Sequence, residues 1–116
     1  MIDFHEVDPI LFPWAESHRL KVFTSDRDAP VRSMDIVLHR IRYQVWIEVA
    51  SDHAMIVHLC GYFKKFKILK IEASVPTLEK ALDDCLATVS EWDRQRPIWC
   101  RLADAVFSGQ SPNVTP

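Results

Sequence analysis

Glycine is nearly absent. The 116 residues include only two, Gly61 and Gly109. Phosphate-cradling loops, of either the P-loop or the dinucleotide type, need several glycines where backbone approaches phosphate, so both are excluded. Cysteine is scarce and odd in number: Cys60, Cys85 and Cys100, with no CxxC pair. A disulfide framework is not expected, and reduced thiols fit a cytoplasmic setting, or a host cytoplasm if the gene is viral. No stretch approaches the roughly 20 apolar residues of a membrane span. The opening MIDFHEVDPILFPW has no basic n-region, so no signal peptide is expected. Net charge is also small, −2 at pH 7. No whole-molecule field therefore selects a polyanion or a polycation.

What is present argues for one folded domain. An apolar content of 48% with four tryptophans is enough for a core and too high for disorder. A chain of this length buries about two thirds of its unfolded surface. Charge is unevenly spread. Residues 1–30 carry three basic and six acidic side chains, 31–72 seven and four, and 73–116 four and six. The middle of the chain is positive and both ends are negative.

Pattern along the chain predicts an α+β fold. Pro9 and Pro13 interrupt residues 1–17, which read as an edge strand or an irregular segment laid on the core. HRLKVFT (18–24) alternates like a strand, and SDRDAP (25–30) has loop composition. From Ile41 the apolar set Ile41, Tyr43, Val45, Ile47 and Val49 interleaves with Arg40, Arg42, Gln44, Trp46 and Glu48, a strict period of two. Residues 31–40 fit either a short helix or an extension of that strand, and the missing cap favours strand. SDH (51–53) reads as a turn, AMIVHLC (54–60) as a strand, Gly61 as a bulge or bend, and KFKILKIEA (65–73) as a further strand.

The period then changes. Leu78, Ala81, Leu82, Cys85, Leu86, Val89 and Trp92 trace one face of a helix over 76–93, with Thr77 placed to cap it. Pro97 opens and Gly109 closes a second helix. The expectation is a single domain over 1–109 with a loose tail at 110–116. An antiparallel meander of about four to five strands is followed by two C-terminal helices packed on one sheet face.

No constellation names a reaction. His58 and Cys60 lie two apart on one strand and share a face, and His39 could approach them. A zinc site, however, needs three or four convergent ligands, and the usual close pairs are missing. A Cys60–His58 or Cys60–His39 pair with Asp35 would place its thiol in an apolar run, where a reactive thiolate is not expected. Asp83 and Asp84 diverge by about 100° on a helix. Glu79 with Asp83, and Glu91 with Asp93, read as an ordinary solvated face. Neither a catalytic residue nor a metal or other cofactor is expected.

Two surfaces remain. CGYFKKFKILK (60–70) sets Lys64, Lys65, Lys67 and Lys70 among aromatics. Such a strand suits a phosphate-tracking platform, or simply an edge that lysine protects from unwanted pairing. The outward set Arg40, Arg42, Gln44, Trp46 and Glu48 carries the residue types that dominate interface hot spots. Its tryptophan is either covered, with Phe12 and Trp14 of the N-terminal segment as the natural cover, or left for a partner. The reading that follows is a small non-catalytic binding module. It acts stoichiometrically, as inhibitors, immunity proteins, adaptors or phage-type anti-defence proteins do, on a protein with an acidic surface. Nucleic-acid binding through residues 60–70 is the alternative. Edge strands allow a homodimer, and no membrane contact is expected.

Overall fold

The computed structural model describes residues 3–63 and 65–95, with side chains described outside 62–66. The order is helix α1 (Phe4–Ser17), strands β1 (Val22–Asp26), β2 (Ala29–Leu38), β3 (Ile41–Val49), β4 (Met55–Phe63) and β5 (Lys65–Ala73), a 3-10 turn (Val75–Thr77), and helix α2 (Leu78–Arg94). The five strands form one antiparallel sheet in chain order, β1-β2-β3-β4-β5. The chain is therefore an α+β domain, as its pattern implies. The second C-terminal helix, with Pro97, Cys100 and Gly109, and the tail fall outside the described residues.

The N-terminal segment is a helix and not the edge strand expected from its prolines. A capping box starts it. The Asp3 carboxylate accepts from the His5 and Glu6 amides at 2.9 and 3.3 Å, and Glu6 accepts from the Asp3 amide at 3.3 Å. Two orphan donors and the cap amide are thereby satisfied. Val7, Leu11, Trp14 and Ala15, spaced i, i+4, i+7 and i+8, are buried. Pro9 and Pro13 are both exposed, four residues apart on the opposite side. There the carbonyls they free can be hydrated. An interior proline costs about 3 kcal/mol. Burial of Val7 and Leu11, at about 1.5–3 kcal/mol each, together with the larger Trp14, offsets that.

The β1–β2 and β2–β3 hairpins close through two-residue turns that contain no glycine. Arg27 and Asp28 have φ of 51° and 66°, and His39 and Arg40 have 50° and 66°. Positive φ at both central residues gives the turn a twist that matches the flanking strands. The expected loop at 25–30 thus shrinks to two residues. The expected run from 31 into the long strand is instead two strands broken at His39–Arg40. The His39 turn is tied down, because its Nδ1 lies 2.8 Å from Oδ2 of Asp93 at the end of α2. Asp93 is buried, not on the solvated helix face where its sequence position suggested.

Gly61 is not a bulge. It pairs in register with Tyr43 and Lys67. Its missing side chain matters in another way: a Cβ there would stand 3.2 Å from the Tyr43 ring and 3.3 Å from the Trp92 ring. The one irregularity in the β1–β2 register falls between Phe23 and Ser25. Thr77 does not cap α2 with its side chain onto a helix amide. It instead accepts from the Ser74 amide at 2.8 Å, closing the 3-10 turn.

Register assigns the two sheet faces. Met34, Ile36, Tyr43, Val45, Ile47, Met55, Val57, Leu59 and Ala73 point to one side. They form a single buried cluster with Val7, Leu11, Trp14 and Ala15 of α1 and Leu78, Ala81, Leu82, Cys85 and Val89 of α2. Both described helices therefore cover the same face. They are joined by the Trp14 indole N–H, which donates to Asp83 Oδ1 at 2.9 Å.

Candidate functional site: the open sheet face

The other face of the sheet carries neither described helix. Cross-strand rows define it: Ser33, Trp46, His58 and Lys70 in one, and Asp35, Gln44, Cys60 and Ile68 in the next. Glu48, Ile56 and Glu72 form a third. At its centre the Trp46 ring lies flat on the His58 imidazole, with centroids 4.7 Å apart and planes 4° from parallel. His58 is buried, and its Nε2 hydrogen-bonds Oε1 of Glu48 at 3.2 Å. Trp46 is half-buried. The aromatic anchor is thus held in one orientation by a side chain that is itself fixed. Around it stand the exposed apolar side chains Phe23, Val37 and Ile68.

β2 pairs with β3 only over Ser33–Leu38, while Ile47–Val49 of β3 pair with β4 alone. Past the Ser33–Trp46 pair, the β1–β2 hairpin parts from β3. A cleft of about 520 Å³ opens there, lined among others by Phe4, Phe23, Asp26, Asp35, Gln44 and Trp46. Arg32 also borders it and is already engaged. Its Nε and Nη2 donate to the two Asp8 oxygens at 2.7 and 3.0 Å, Nη1 donates to the Val31 carbonyl at 2.6 Å, and its guanidinium sits 4.4 Å above the Phe4 ring centroid. The hydrogen bonds to Asp8 hold its pKa above the ordinary arginine value. Coulombic attraction to Asp8 adds to this and burial opposes it.

Arg42, Gln44, Trp46 and Glu48 share this face, as their spacing implies. Arg42 stands 4.0 Å from Asp35 and is mostly exposed. Arg40 does not share it: it occupies the β2–β3 turn, because the strand that alternation seemed to continue ends at Leu38. Lys70 is on the face, in the row of Trp46 and His58. Lys67 is on the other side, donating to Gln95 Oε1 at 2.6 Å and lying 5.9 Å above the Trp92 ring. Lys64, and the side chain of Lys65, fall outside the described residues. The N-terminal segment is no cover for Trp46: α1 packs on the opposite face, with Trp14 buried there and Phe12 exposed.

The grouping of His39, His58, Cys60 and Asp35 is not assembled. His58 and Cys60 do share a face. Asp35 is two strands away across Gln44, about 10 Å at ordinary strand spacing. His39 is held by Asp93 in the β2–β3 turn. Among the described residues, no three potential metal ligands converge. The two described cysteines are free and buried. Burial pushes the Cys85 thiol up to about 12, with Asp84 adding to it, so it is protonated at neutral pH and suits core packing. Asp83 serves the Trp14 indole and is not simply solvated. No described helix is long and apolar enough to cross a membrane.

Comparison with models of known protein families, with curated proteins and with solved structures finds no match to the chain.

Proposed function

We propose that the protein is a stoichiometric binding module for another protein, and that its contact surface is the open face of the sheet, centred on Trp46. The carrying observation is the stack of Trp46 on a buried, Glu48-bonded His58, on the side of the sheet away from both described helices. A half-buried tryptophan with its orientation already fixed loses little freedom on binding, and tryptophan and arginine lead among interface hot spots. Arg42, Gln44, Glu48 and Lys70 surround it as the polar rim expected of such a surface. The rim is mixed in sign: Arg42 and Lys70 face Asp35, Glu48 and Glu72. A partner of matching mixed charge fits it better than the uniformly acidic one that the lysine run first suggested. Inhibitor, immunity and adaptor roles all work by such stoichiometric contact.

The test is tagged capture of a partner with wild type and Trp46→Ala side by side, with and without nuclease. The expected result is a loss of roughly 2 kcal/mol or more, about 30-fold in Kd, with an unchanged thermal unfolding midpoint. Full retention of binding by the variant refutes the surface assignment. Capture that disappears with nuclease identifies the partner as nucleic acid.

A further inference from the structure

The cleft beside Trp46 differs from the rest of the open face in its chemistry. Its lining includes three aromatic rings, Phe4, Phe23 and Trp46, and two carboxylates, Asp26 and Asp35. Arg32 already lies over Phe4 and the Lys21 ammonium 5.1 Å from the Phe23 ring centre, which leaves Trp46 as the ring for an incoming group. The cation that borders it, Arg32, is neutralised by the two-pronged contact with Asp8. The other cation near Asp35, Arg42, is 4.0 Å away with its side chain 60% exposed, a pair that water and salt largely screen. Among the lining residues themselves, two carboxylates stand against one cation that Asp8 already engages, with Lys21 and Arg42 outside the lining.

We infer that the cleft receives a guanidinium group, the side chain of an arginine presented by the partner. The inference rests on the reading of the open face as a binding surface. Guanidinium is planar and weakly hydrated. It stacks on aromatic faces while its fork pairs with a carboxylate, and Trp46 with Asp35 offers both at one place. The cleft, at about 520 Å³, has room for a side chain of that length. The cleft lies where the β1–β2 hairpin leaves β3, so an arginine on a protein docked over Trp46 can reach it.

The experiment is an NMR titration of the full chain, labelled with 15N, with N-acetyl-arginine amide. N-acetyl-norleucine amide serves as the uncharged control of similar length. Saturable shifts are expected at Phe23, Ser33, Asp35, Gln44 and the Trp46 indole, at roughly millimolar Kd for a ligand of this size. Norleucine amide should bind at least tenfold more weakly. Asp35→Asn, with its spectrum otherwise unchanged, should weaken arginine amide at least fivefold. Equal shifts from the norleucine amide, shifts that never saturate, or an indifferent Asp35→Asn variant would each overturn the inference. If Trp46→Ala abolishes partner capture while arginine amide fails to bind, the arginine pocket falls and the binding face stands. If Trp46→Ala leaves capture intact, the face itself falls.

Discussion

Gly61→Ala is the substitution whose outcome follows most directly from geometry. The added methyl would stand 3.2 Å from Cδ1 and Cε1 of Tyr43 and 3.3 Å from Cε3 of Trp92. Carbon pairs are most comfortable at about 3.5–4.0 Å, so both rings would have to give by a few tenths of an ångström. Tyr43 is wholly buried between β2 and β4 and cannot yield without moving its neighbours. Trp92 is only partly buried and can. Overpacking of this kind costs about 1–3 kcal/mol. Removing a glycine's excess freedom from the unfolded chain returns about 0.5–1 kcal/mol. The expected net loss is about 1–2 kcal/mol, a fall in Tm of about 4–8 °C for a domain of this size. Urea unfolding followed by far-UV circular dichroism reads it, with the denaturant slope unchanged. The double variant Gly61→Ala/Trp92→Leu should lose less than the sum of its parts, because the smaller side chain relieves one of the clashes. A Gly61→Ala protein as stable as wild type would refute the argument.

Other expectations concern buried groups. Cys85 has a folded-state pKa of about 12 against an ordinary 9.0. Because the folded value is raised, its contribution to stability is complete below pH 9 and is lost as pH rises from 9 toward 12. The slope reaches about 1.4 kcal/mol per pH unit. Cys85→Ala should flatten that alkaline limb in urea titrations run at several pH values, and an unaltered slope relative to wild type would exclude the thiol as its source. Asp93→Asn removes the negative charge and one of two accepting oxygens at a buried site facing His39, leaving a weaker, neutral acceptor. A loss of about 1–3 kcal/mol is expected, with faster amide exchange at the β2–β3 turn. Unchanged exchange at residues 38–41 would mean that the turn holds without this contact.

The elements that could be read from the sequence were those with an unbroken period. β3 alternates without exception from Ile41 to Val49, and α2 keeps its apolar stripe from Leu78 to Trp92. Both stand where the pattern places them. The misreadings share a cause, in that a strong local rule was overridden by context. Pro9 and Pro13 forbid a buried strand, but they are tolerated in α1 because they face water. The Asp3–Glu6 capping box was the signal that marked the helix. His39–Arg40 carries none of the usual glycine of a two-residue turn, so the break between β2 and β3 was invisible in the alternation. That single break takes Arg40 off the open sheet face. Lys67 belongs to the lysine run read as one surface, but parity separates it: one residue of offset from Ile68 places it on the helix-covered side, against Gln95 and Trp92. The Trp46–Glu48 part of the surface was legible because alternation fixes it. His58 as the support of Trp46 was not, since cross-strand register cannot be read from one strand.

Strand order equal to chain order has a kinetic consequence. Each of the four strand pairings joins chain neighbours, so the sheet can close hairpin by hairpin without waiting for a distant segment. The N-terminal helix has no such neighbour in α2: the Trp14–Asp83 bond spans 69 residues of chain. Its docking should be the late event, completed after the sheet and α2 have formed a surface to receive it. In stopped-flow unfolding and refolding, Trp14→Phe should then speed unfolding far more than it slows folding. A variant that slowed folding instead would place α1 in the nucleus. On the expected order, the sheet and α2 come together first, and α1, which precedes them in the sequence, is the last part to be fastened.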